Sequence, residues 1–232
     1  MNLKDTRRTG SMRGRVLVAA MAAGVLLAAS ACSDSDSGDD SAAGDFVSQS
    51  VLEEGEDNPM IAEGVTIGKD TFFYKSSGLG PESLNTAAPE GTPESFIDTG
   101  MFGDGKLTDG VTITEAQGLN ALSQIKANLE ARGLTLEDVV SMRVFLDNAP
   151  GSDRADYAGW NRAYRQYFAN TDLKTKDTEL VPMGTAAPKA PLERNSARPS
   201  RFALEVASLP VPGWLVEIEV DAVYPKDKEP VS

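Results

Sequence analysis

Arg201-Phe-Ala-Leu-Glu-Val206 and Leu215-Val-Glu-Ile-Glu-Val-Asp-Ala-Val-Tyr224 both alternate apolar with polar side chains. Side chains of an extended chain point to opposite faces in turn, so this alternation is the mark of a half-buried strand. In the first segment Phe202, Leu204 and Val206 share one face, and Arg201, Ala203 and Glu205 share the other. In the second, Val216, Ile218 and Val220 stand opposite Glu217, Glu219 and Asp221. If both apolar faces meet helices, the remaining face of the sheet carries Arg201, Glu217 and Glu219. Charges there need water, an ion pair or a ligand.

Upstream of these strands the chain supplies the helices they need. Leu119, Leu122, Ile125 and Leu129 recur at helical spacing within residues 114–132, and Gly133 is the expected stop. Residues 139–146 read as a strand with Val140, Met142, Val144 and Leu146 on one face. A second helix is expected over 155–169, with Tyr157, Trp160, Tyr164 and Phe168 as its buried stripe. Val65-Thr-Ile67 and Thr71-Phe-Phe-Tyr-Lys75 read as a hairpin about Gly68-Lys-Asp70. The order ββ–α–β–α–ββ implies an α+β domain with two helices packed on one sheet face. That domain is expected over residues 56–228, with insertions near 79–110 and 170–199, where Gly, Pro, Ser and Thr accumulate.

The N-terminus has a different composition. Lys4, Arg7, Arg8, Arg13 and Arg15 precede an uncharged run from Val16 to Ala31, which ends in Ala29-Ser30-Ala31 before Cys32. A basic stretch, a short apolar stretch and small residues describe a secretory signal over 1–31. Cys32 is the only cysteine, so no disulfide forms within the chain. Leu26-Leu-Ala-Ala-Ser-Ala-Cys32 resembles a bacterial lipobox, whose cysteine is acylated. Residues 32–55 are then expected to be an acidic flexible tether, and the protein to sit in the cell envelope, lipid-anchored and facing the periplasm or the exterior. The lipid would be its only contact with the membrane.

Removing residues 1–31 takes away five bases and one acid, which moves the net charge from −13 to about −17. So acidic a surface repels phosphate backbones, and no nucleic-acid partner is expected. The chain has no histidine, which excludes Ser-His-Asp and Cys-His catalysis and any histidine-ligated metal. Arginine, lysine, carboxylates, hydroxyls and backbone are left to carry the chemistry. An arginine fork fits a carboxylate through two N–H groups, and a nearby carboxylate can deprotonate a water.

The segment Arg198-Pro-Ser-Arg-Phe-Ala-Leu-Glu-Val-Ala-Ser-Leu-Pro210, followed by Val216-Glu-Ile-Glu-Val-Asp-Ala-Val223, resembles the C-terminal signature of the RidA (YjgF/YER057c/UK114) family. Gly64-Val-Thr-Ile-Gly68, Ser77-Gly78, Thr114-Glu115, Leu129-Glu-Ala-Arg-Gly-Leu134, Val144-Phe-Leu146 and Asn161-Arg-Ala-Tyr164 resemble its earlier parts, so the likeness covers most of residues 58–225. The resemblance implies a chorismate-mutase-like fold and a barrel-like homotrimer with sites between subunits. It also implies hydrolysis of 2-imino or 2-enamino acids to 2-oxo acids and ammonia, with neither cofactor nor metal. Arg201 falls on the arginine that clamps the substrate carboxylate, Glu217 on the glutamate that handles water or protons, and Asn161 on a recurrent helix asparagine. Two substrate-facing positions depart: the family's cysteine is Ala203 here and its tyrosine is Ile61. Two readings stay open, a deaminase acting through Arg201 and Glu217, and a non-catalytic module that captures a small carboxylate at the same cleft.

Overall fold

The structure is a computed structural model that describes residues 46–108, 110–226 and 228–230. The signal, Cys32 and residues 32–45 of the expected tether lie outside the described residues. The described elements are β1 (Ser48–Val51), β2 (Gly64–Ile67), β3 (Phe73–Lys75), α1 (Ile113–Glu130), β4 (Val139–Leu146), α2 (Tyr157–Arg165), β5 (Ser200–Glu205) and β6 (Val216–Val223). Four strands form one sheet in the order β3-β6-β4-β5, antiparallel except for the parallel pair β4 and β5. Both helices cover one face of it, as an α+β domain requires.

Local chemistry sets the helix ends. Thr112 Oγ1 accepts from Glu115 N at the start of α1, and Asp156 Oδ1 accepts from Gly159 N at the start of α2. The two caps are themselves joined, Thr112 donating its hydroxyl to Asp156. Past α1, Gly133 takes φ of 73° and Leu134 N returns to Leu129 O at 3.0 Å, burying both leucines. Where α1 crosses α2, a side chain at Gly118 would stand 2.9 Å from Cβ of Ala163 and 3.3 Å from Trp160, so only glycine permits this approach. Leu119, Leu122, Ile125 and Leu129 of α1, Met142, Val144 and Leu146 of β4, and Val216, Ile218 and Val220 of β6 are fully buried between the layers.

Four expectations are corrected. Residues 65–67 and 71–75 do not pair as a hairpin: β2 pairs with β1, and β3 pairs with β6. β1 also falls inside residues 32–55, so the stretch read as tether contributes a strand whose pairing partner lies beyond an intervening turn. α2 stops at Arg165, four residues early; Ala169 there adopts φ of 53°, while Tyr167 and Phe168 stay buried without being helical.

The fourth correction concerns the faces of β5. Register pairs Met142 with Arg201 and Val144 with Ala203, which puts Arg201 and Ala203 on the helix-covered side. Phe202 and Leu204 face the open side beside Arg143 and Phe145, 46% and 50% exposed. β6 obeys the expectation, with Glu217 and Glu219 on that open side. Arg201 and Glu217 are therefore on opposite faces of their own sheet. β5 is an edge strand, and its arginine passes beneath the aromatic stripe of α2 while its larger apolar side chains turn outward.

The two stretches expected as insertions, 79–110 and 170–199, are held by buried polar groups of α1 and of Gln166 at the end of α2. Gln117 donates to Pro93 O and Gly213 O and accepts from Leu215 N. Asn120 donates to Glu82 O and Phe96 O and accepts from Glu82 N. These bonds fold residues 79–110 down onto α1 in three short 3-10 turns. Glu115, fully buried, pairs with Arg162 and accepts from Gly184 N, and Gln166 donates to Pro182 O; both fasten residues 170–199.

Candidate functional site

At the edge of the sheet, Arg201 lies against α2. Its guanidinium carbon sits 4.2 Å from the centre of the Tyr164 ring and 5.9 Å from that of Trp160, distances at which a cation is attracted to an aromatic face. Nη2 donates to Asn161 Oδ1 at 2.8 Å. Nε and Nη1 are buried and have no partner. No carboxylate is paired with this cation among the described residues, and burial pushes its pKa below the ordinary arginine value, with Tyr164 acting in the opposite sense. An arginine still keeps its charge at neutral pH. What results is a positively charged guanidinium, preset in orientation, whose Nε and Nη1 donors lack an acceptor. Its chemical complement is a carboxylate.

The surroundings fix that fork in place. Tyr164, whose burial raises its pKa to about 12, donates its hydroxyl to Met60 O at 2.9 Å. Arg198, only 2% exposed, donates to Pro59 O, Ser196 O, Asn58 Oδ1 and Thr171 O. Together they fasten residues 58–61 alongside the start of β5, where Ala62 bridges Ser200. Ile61 is thereby set near the entrance of β5, and Ala203 lies two residues beyond Arg201 on the same face. The sequence alone gave Tyr164, Trp160 and Arg198 no part in the site. The signal for the first two was their spacing about Asn161, which places all three on neighbouring turns of one helix.

Glu217 stands elsewhere, on the open face. Its neighbours are spoken for: Arg143 pairs with Glu219 at 2.7 Å and holds Asp221 through two bonds of 2.7 and 2.8 Å, while Lys75 pairs with Glu219. Glu217 has no ion pair or hydrogen bond among the described residues. Burial first, and the Glu219 charge second, raise its pKa above the usual carboxylate value. Its carboxyl rests against Gly78, where a methyl group would overlap Oε1. The structure thus joins Arg201 with Asn161, sets Ala203 on the same face of β5, places Ile61 next to the Ala62–Ser200 bridge, and leaves Glu217 on the opposite face of the sheet. Among the described residues no group of three or more acidic side chains is arranged to hold a metal ion.

A family model described as Endoribonuclease L-PSP matches residues 99–224, more than half of the chain. The chain belongs to this family. It is the RidA (YjgF/YER057c/UK114) group that the C-terminal signature resembles. Among solved structures, Rv2704 of Mycobacterium tuberculosis, described as a member of the highly conserved YjgF/YER057c/UK114 family, is 20% identical. That match covers 76% of this chain and 99% of the other, with a TM-score of 0.35. The Rid-family protein YyfB of Yersinia pestis is 17% identical, over 77% of this chain and 100% of its own, at a TM-score of 0.43. TdcF of E. coli, crystallised with bound serine, is 19% identical over 76% and 100%, at 0.36. Within this RidA-family site the walls at Ile61 and Ala203 offer neither a hydroxyl nor a thiol. The polar side chains on this side of the site are Arg201 and Asn161.

Proposed function

We propose that this protein hydrolyses reactive 2-imino or 2-enamino acids to 2-oxo acids and ammonia. The observation that carries the proposal is the pair of unpartnered, buried N–H groups on Arg201. They leave donors on the guanidinium for the substrate carboxylate, which would hold the neighbouring C=N carbon at a fixed distance. Water adds to that carbon as the imine nitrogen accepts a proton; collapse of the adduct expels ammonia and leaves the C=O bond. A base has to remove the proton from water and return it to nitrogen, and an unpaired glutamate with a raised pKa suits both steps.

Glu217 cannot reach Arg201 inside one protomer, so the complete site needs a second copy of the chain. The open sheet face offers the surface for one: Phe73, Phe202 and Leu204 are 48%, 46% and 50% exposed there, around the Arg143 cluster. A homotrimer closing these faces into a barrel would bring Glu217 of the partner subunit toward Arg201. Beside this stands a second reading, favoured by Ile61 and Ala203: a non-catalytic module that captures small carboxylates in the cell envelope. Ribonuclease action, which the family description names, is disfavoured by the negative charge and the lack of histidine.

The test is ammonia release from freshly generated 2-imino acids by the full-length protein and by Arg201→Ala. Turnover lost in the variant supports the deaminase; a folded protein that binds 2-oxo acids without turnover leaves the capture module. We further propose that Cys32 is lipidated and anchors the protein in the envelope. Cys32→Ser should release it into the soluble fraction, and unchanged membrane association would sink the anchor.

A further inference from the structure

A cleft of about 510 Å³ lies at the other edge of the sheet, between α1 and residues 78–83. Leu79 exchanges backbone hydrogen bonds with Ile218, and this stretch of backbone divides the cleft from the Glu217 carboxyl. The cleft is therefore separate from the site described above. Trp214 and Phe96, edge to face with ring centres 6.3 Å apart, form its aromatic wall, with Pro81, Ala127 and Val211 beside them. Gly80 allows the Trp214 ring to lie directly on the backbone, since a methyl group there would overlap the indole. Asn120 binds Phe96 O and Glu82 O from inside α1, and Gln117 binds Gly213 O next to Trp214, so the wall is fixed in place. Its volume and its mostly apolar lining are those of a small-molecule pocket.

Two uncommitted acceptors complete the lining. Glu82 is its one charged side chain among the described residues, and the carboxylate has no ion pair or hydrogen bond there. The Glu82 backbone is held at both N and O by Asn120, which sets where that carboxylate starts. Gln124 donates to Asn120 Oδ1 through Nε2, leaving its own side-chain oxygen without a donor. A carboxylate, a free amide oxygen and aromatic faces are the complement of an ammonium group. The net charge of −13 draws cations to this surface and repels anions. We propose that the cleft binds a small aromatic amine, its ring against Trp214 and Phe96 and its ammonium group toward Glu82 and Gln124. This site stands independently of the deaminase reading. The stretch at 79–110 supplies Glu82 and Phe96, and thereby has a role in recognition.

The experiment is calorimetry on the full-length protein with three probes. Phenethylamine has both ring and charge, phenethyl alcohol the ring without the charge, and n-butylamine the charge without the ring. The expected result is saturable binding of phenethylamine at least ~10-fold tighter than either control, the scale of an exposed cation–aromatic contact added to an exposed ion pair. Glu82→Gln should weaken phenethylamine ~3-fold and leave phenethyl alcohol unchanged. Ala127 is exposed, so Ala127→Trp fills the cleft without entering the core, and it should abolish binding at an unchanged melting temperature. Absence of saturable phenethylamine binding, or equal affinity for phenethyl alcohol or n-butylamine, overturns the proposal. So does phenethylamine binding that survives Ala127→Trp or is indifferent to Glu82→Gln.

Discussion

At the scale of single residues, Arg201 sets binding against stability. A buried cation with two N–H groups lacking acceptors costs the unliganded fold free energy, offset in part by the Tyr164 ring and Asn161. Arg201→Met, of similar length and uncharged, should raise the midpoint of thermal unfolding while removing ~10²-fold or more of 2-oxo-acid affinity. A lower midpoint would make the arginine a structural residue and remove the ground for the proposed site. Glu217 has a pH signature of the opposite kind to the usual paired acid. Its folded-state pKa lies above the unfolded value, so the folded protein holds the extra proton. Stability from this group is present below the unfolded pKa and is lost as pH rises through the folded one. Glu217→Gln should therefore gain stability relative to the parent as pH rises from the ordinary glutamate value of about 4.3 through the raised folded one, read as the difference in melting temperature at each pH. The carboxyl keeps part of its contact with water, so the effect is small.

At the scale of elements, α1 fixes its neighbours through polar groups in the middle of an otherwise apolar face. Asn120→Leu leaves Glu82 N, Glu82 O and Phe96 O without their partner. The expected cost is about 3 kcal/mol, with new protease cleavage confined to residues 81–110; a fold that keeps its melting temperature would contradict this. Such anchors explain where sequence reading succeeds and where it stops. α1, β4 and β6 were legible because each has a period whose apolar side meets one core. The grip on the insertions was not, since an asparagine or glutamine inside a helix has the same letter whether it faces water or binds a distant loop. The pairing of β2 was missed for a related reason: Thr66 meets Gln49 across a turn whose closure no local signal announces. β5 failed by symmetry. On an edge strand, Phe202 and Leu204 point outward as readily as inward when another surface awaits them, so alternation gives two faces without saying which is inner. For the candidate site, Arg201 and Asn161, both named from the family resemblance, are joined by a hydrogen bond. The ring under the arginine was hidden because Tyr164 serves the core and the guanidinium at once.

At the scale of the whole molecule, the proposed trimer depends on the open sheet face. Its exposed Phe202 and Leu204 flank a cluster of paired charges, a composition suited to a partner that covers apolar and charged patches together. Leu204→Asp should convert an assembled protein to monomers in light scattering and remove turnover along with it; a monomeric parent would end the shared-site reading. The hairpin of β1 and β2 has a mechanical consequence. Tension delivered through the chain before Phe46 first meets Val47, whose carbonyl accepts from Gly68 N and Thr71 Oγ1, and then Ser48, whose partner Ile67 lies farthest from the connecting loop, while Val51 opposite Gly64 lies nearest to it. Load applied at that corner breaks one pair at a time, as a zipper opens, and never shears the four together. The hairpin is thus a compliant link that yields first under force, sparing the four-stranded sheet and the arginine beneath α2.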